Sequence, residues 1–60
     1  MSKGTQITES LLYLIYTWYD EGQITKFDFR NYKIIAKGGT LKQKQALWYD
    51  LTGSEFDFEQ

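Results

Sequence analysis

The sequence predicts an all-α protein, a compact three-helix bundle followed by an acidic C-terminal tail. Two observations carry that expectation. Apolar residues recur every three or four positions through most of the chain, which places them along one side of a helix. Three times, a threonine able to cap a helix start is followed about three or four turns later by a glycine able to end it. Residues 1–53 are expected to form one domain and residues 54–60 an acidic, flexible tail. With 60 residues, folding alone is marginal, so stability must come from dense packing or self-association. Eleven aromatic residues and a hydrophobic content of 42% supply more packing material than so small an interior absorbs.

Taken in order, residues 1–6 are polar and read as a frayed leader. The first helix is expected to start at Thr8, with Glu9 at the positive end of the helix dipole and Ile7 folded onto Leu12 as a hydrophobic staple. Leu11, Leu14, Ile15 and Trp18 share its core face, and Gly22 supplies the left-handed residue that ends it. Thr25 caps the second helix, Asp28 is placed to return a hydrogen bond, and Ile24 staples onto Phe29. Phe27, Ile34 and Ile35 form its expected core side, and Gly38-Gly39 stops it. Thr40 caps the third helix with Gln43 at the reciprocal position; Leu41, Leu47, Trp48 and Leu51 lie on one side, and Gly53 closes it. A competing reading makes residues 26–35 a strand, because KFDF alternates as EFDF does later, but neither run has a hairpin partner.

Leu11-x-x-Leu14, Trp18 and the run Asp20-x-Gly22-x-Ile24-Thr25-x-x-Asp28-Phe29-x-x-x-Lys33 resemble the short helix-turn-helix hairpin of SHOCT domains. That family shows a Leu-rich first helix, an acidic residue, Gly-x-Ile-Thr, then an acidic residue followed by Phe and a Lys four further on. The resemblance spans residues 11–35 and implies a bacterial or phage setting, a role in association and no catalytic residues. SHOCT modules usually sit at the C-terminal end of larger proteins, whereas here a third helix follows. The same letters also align with the second half of a calcium-binding EF-hand loop. There the first two ligand positions fall on Thr17 and Tyr19, which cannot replace carboxylates, so no metal is expected.

The chain has no His and no Cys, which removes the usual general base, soft metal ligands and disulfides. Asp20 and Glu21 are adjacent and point apart on a helix, Gly38-Gly39 lacks a phosphate-loop pattern, and no enzyme activity or cofactor is expected. The apolar run 11–19 is interrupted by Thr17 and too short to span a bilayer, and no signal-peptide pattern opens the sequence. The expectation is a cytoplasmic protein with no membrane partner.

Charge is unevenly placed behind a net value of −1. Residues 1–25 carry one Lys against Glu9, Asp20 and Glu21; residues 26–44 carry six basic residues against Asp28; residues 45–60 carry four acids and no base. On the second helix Lys26, Arg30, Lys33 and Lys37 recur at spacings of four, three and four, a one-sign stripe that Lys42 and Lys44 extend. Like charges so spaced repel, which calls for an anionic partner. The first helix is apolar nearly all round, with Leu12, Tyr16 and Tyr19 as a second stripe and Tyr13 between, to be covered by Phe56 and Phe58 of the tail or by another chain.

Two functions follow as expectations. The first is a small interaction protein, an adaptor, inhibitor or regulator, that forms homo-oligomers, preferably dimers, through Leu12, Tyr13, Tyr16 and Tyr19 and binds a protein partner. The second is a DNA- or RNA-binding regulator using Lys26, Arg30, Lys33, Lys37, Lys42, Lys44, Gln43 and Gln45. The acidic overall balance places the first ahead of the second.

Overall fold

The computed structural model describes residues 2–58 as three helices, α1 (Lys3–Asp20), α2 (Lys26–Gly38) and α3 (Leu41–Thr52), with no strand among the described residues. Each helix contacts the other two, most extensively α1 with α2, and the radius of gyration is 10.9 Å. A folded 60-residue chain is expected near 10.4 Å, or about that, from size alone. The all-α bundle is therefore the fold, and residues 26–35 are helical.

α1 starts earlier than its sequence signals indicate. The Ser2 hydroxyl accepts from the Thr5 amide at 3.2 Å, so Ser2 is the cap and residues 3–6 belong to the helix. Downstream, Ile7, Leu11 and Ile15, spaced by four on one line of the helix, are all fully buried. Ile7 is thus a core residue within α1, not a staple ahead of it. At the other end Gly22 has φ 76°, its amide bonds the Tyr19 carbonyl at 3.1 Å and the Gln23 amide bonds the Trp18 carbonyl at 2.8 Å. That pair of bonds is a Schellman closure, with glycine at the left-handed position as expected.

α2 is capped by Thr25, whose hydroxyl accepts from the Asp28 amide at 3.1 Å. The return bond from Asp28 is not among the described hydrogen bonds; its side chain is one carbon shorter than the Glu or Gln that complete such boxes. At Thr40 both halves form, with Gln43 Oε1 accepting from the Thr40 amide at 2.8 Å. Gly39, between the two helices, has φ −76°, so its role is not conformational. A Cβ there would lie 2.6 Å from the Ile35 carbonyl oxygen and 3.1 Å from Gln43 Oε1.

The core corrects the second helix. Phe27 and Ile34, expected inside, are 75% and 68% exposed. The buried line of α2 runs instead through Phe29, Tyr32 and the fully buried Ala36, with Ile35 beside it. α2 has apolar residues on two opposite faces, and the small Ala36 decides which one lets the helix approach α1 closely. On α3, Leu47 is buried, Trp48 and Leu51 are half-buried, and Leu41 is more exposed than expected. Beyond α3 the chain is irregular, but Phe56 meets Trp48 edge-on at 5.0 Å and Phe58 meets Phe56 at 4.8 Å. The Lys3 amine sits 5.5 Å from the Phe58 ring, tying this segment to the start of α1. Glu59 and Gln60, the last of the expected flexible tail, lie outside the described residues.

Candidate interaction surface

The Tyr stripe of α1 faces α2. Phe29 stacks on Tyr19 at 4.2 Å and 14°, and meets Tyr16 edge-on at 5.2 Å and 74°. The start of α2 thus returns against the end of α1, an arrangement imposed by the short Gly22 turn. Leu12 packs against the core cluster. Tyr16 and Tyr19 remain 47% and 38% exposed and Tyr13, 77% exposed, projects to solvent. Of the four residues expected at a dimer interface, Tyr13 and Tyr16 present the most surface. Phe56 and Phe58 pair with Trp48 and Lys3, so the stripe is met by α2 and not by the tail among the described contacts.

The basic stripe is divided by the same packing. Lys33 is half-buried, its amine 4.8 Å from the Phe29 ring and 5.4 Å from the Tyr16 ring, a cation placed over two aromatic faces. Lys44 is also half-buried and donates to the Thr8 hydroxyl at 2.7 Å, linking α3 to α1. Gln43 is held by its cap and Gln45 lies beside Tyr49, Glu55 and Phe56. Lys26, Arg30, Lys37 and Lys42 are left exposed, and none of them has an ion-pair partner among the described residues.

What the sequence did not indicate is that three of these cations share their face with two exposed apolar side chains. Lys26, Phe27, Arg30, Asn31 and Ile34 line one shallow depression on α2, and Arg30, Lys33, Ile34 and Lys37 line its continuation. Phe27 and Ile34 stand seven residues apart, two turns along one line of the helix. A count of apolar residues on each α2 face would have found two candidate core faces; only the buried Ala36 separates them. Among the described residues, no group of three or more metal-ligating side chains gathers, and no helix is long and apolar enough to cross a membrane. No family model, curated protein or solved structure matches the chain.

Proposed function

We propose that this chain is a non-enzymatic interaction module, an adaptor, inhibitor or regulator that docks an acidic protein partner on the outer face of α2. One observation carries the reading: Phe27 and Ile34 are 75% and 68% exposed beside Lys26, Arg30 and Lys37. Large apolar side chains in a row on solvent gain free energy only when something covers them, and a partner with carboxylates relieves the like-charge repulsion next to them. A role in association is also what the likeness of residues 11–35 to SHOCT hairpins implies. The exposed edge of α1 at Tyr13 and Tyr16 is the surface we assign to self-association, as a dimer.

Co-purification from source cells with wild-type and Phe27→Ser/Ile34→Ser baits tests the docking face. A specific acidic partner held by the wild type and lost by the variant supports it, whereas equal recovery with both baits places docking elsewhere. Light scattering over a concentration series tests self-association. Tyr13→Glu should hold the protein at monomer mass, and an unchanged mass series would refute the α1 assignment.

A second reading, nucleic-acid binding, is favoured by the four exposed cations without ion pairs. It makes a different prediction, because phosphate contacts weaken steeply with salt and take nothing from Phe27 or Ile34. Fluorescence polarisation with random duplex DNA at about 50 mM salt separates the two: binding there that survives Phe27→Ser/Ile34→Ser would favour the nucleic acid.

A further inference from the structure

We infer that the segment received by α2 is an amphipathic helix of another protein, apolar at two points two turns apart and acidic along one edge; this rests on the docking face proposed above. The face has an ordered layout. At about 100° per residue, Phe27 and Ile34 point within about 20° of each other, while Arg30, Lys37 and Lys26 lie about 50–90° to one side. Asn31 and Gly38 lie on the opposite side and carry no charge. An apolar line is therefore bordered by a basic edge on one side and a neutral edge on the other.

The spacing selects a helix. With a rise of about 1.5 Å per residue, Phe27 and Ile34 are about 10 Å apart along α2. Two residues seven apart on a second helix match that interval. Side chains on one face of an extended strand recur every 6.6–6.8 Å, or about that, and miss it. α2 also lies between capped ends with its backbone groups committed to the helix, so it offers no edge for strand addition.

Charge sets the register and excludes other occupants. Because Lys33 is turned over the Tyr16 and Phe29 rings, the exposed basic edge is Lys26, Arg30, Lys37, with spacings of four and seven. A partner helix meets it with carboxylates at four then seven, or seven then four, according to its direction. A second copy docked antiparallel by the same face about a two-fold axis would set Arg30 against Arg30, and one docked parallel would set the basic edge against the uncharged Asn31 and Gly38 edge, so neither supplies the carboxylates the face calls for. The chain's own C-terminal segment has Phe56 seated at Trp48 and Phe58 held between Phe56 and the Lys3 amine, with Glu55 and Asp57 left in solvent. A phosphate backbone would answer the cations and leave Phe27 and Ile34 uncovered. A bilayer surface would receive only two apolar side chains from this face.

The test uses the full chain and three labelled designed peptides. The first is an acidic amphipathic helix with the spacings above, made in both charge orders. The second has the same composition with a central proline, and the third replaces its carboxylates by lysines. Polarisation should show the better of the two matched helices binding roughly tenfold or more tighter than the proline-broken peptide, since a central proline removes a backbone hydrogen bond and breaks the helix. Phe27→Ser/Ile34→Ser should weaken it roughly tenfold or more, as loss of central apolar anchors does. Both positions are exposed, and an unchanged unfolding midpoint confirms that the variant is folded. Lys26→Glu/Arg30→Glu/Lys37→Glu should lose the acidic helix and gain the lysine peptide, a reversal that damage to the fold cannot produce. Equal binding of the proline-broken peptide overturns the helical partner and leaves the docking face standing. No binding of either matched helix also overturns it. If duplex DNA or anionic vesicles bind instead, unaffected by Phe27→Ser/Ile34→Ser, both the helix and the protein-docking reading fall.

Discussion

Gly38 and Gly39 are neighbours with opposite requirements. A Cβ on Gly38 meets nothing within 4 Å, whereas one on Gly39 meets the Ile35 carbonyl at 2.6 Å. Gly38→Ala should therefore stabilise the fold by about 0.4–1 kcal/mol through the unfolded chain, and Gly39→Ala should cost about 1–3 kcal/mol as backbone is forced apart. Urea unfolding of the two variants checks the sign at each position, and a destabilised Gly38→Ala would contradict the open space seen there. The sequence marks the pair as a stop but cannot rank its members, because the discriminating atom belongs to Ile35, a turn away. The lysines behave alike. Nothing in the spacing of Lys26, Arg30, Lys33 and Lys37 separates the third from the rest; only the placement of Tyr16 and Phe29 draws it inward. Thr8→Val should cost about 1 kcal/mol, because the half-buried Lys44 amine loses its 2.7 Å acceptor.

At the scale of elements, the ends of the helices were mostly legible and their inner faces less so. Thr25, Thr40, Gly22 and Gly53 do what capping physics asks of them, since each acts on backbone within four residues. The start of α1 was missed because Thr8 and Ser2 are both able caps, and the choice between them depends on burying Ile7. Ser2→Ala should release residues 3–5 to rapid amide exchange while leaving global stability nearly unchanged, since Thr5 can cap a shortened helix that still holds Ile7. A drop in global stability of more than about 1 kcal/mol would show that the first turn is integral to the core. α2 was legible as a helix and misread in its orientation, and that misreading exposes the candidate surface. Two apolar faces on one helix leave one for the core and one for a partner.

The whole molecule rests on few residues. Ile7, Leu11, Ile15, Ala36 and Leu47 are its buried apolar side chains among the described residues. A chain of this length is expected to have about 3–9 kcal/mol of stability, and Leu11→Ala should remove about 2–5 of it. Helical circular dichroism of that variant should accordingly be lost or melt far below the wild type. Native-like melting would mean that the core extends beyond these five side chains. The aromatic rings that do not fit this interior bind the elements together at its rim. Phe29 joins α2 to Tyr16 and Tyr19, and Phe56 and Phe58 join the C-terminal segment to Trp48 and Lys3. Phe56→Ala should therefore shift the tryptophan emission and lower the unfolding midpoint, and unchanged emission would argue that this segment does not sit on Trp48.

The sequence by itself determined that there are three helices and where most of them end. Periodicity, caps and left-handed glycines act over a few residues, and those residues are adjacent in the chain. It also determined that the chain carries more apolar and more basic surface than a small bundle can use internally. Only the tertiary structure decided which of that surface stays outside. The fully buried Ala36 turns Phe27 and Ile34 to solvent, the Tyr16 and Phe29 rings withdraw Lys33, and Thr8 engages Lys44. Each of these outcomes depends on a neighbour from another turn or another helix, and the spacing within one element does not contain it.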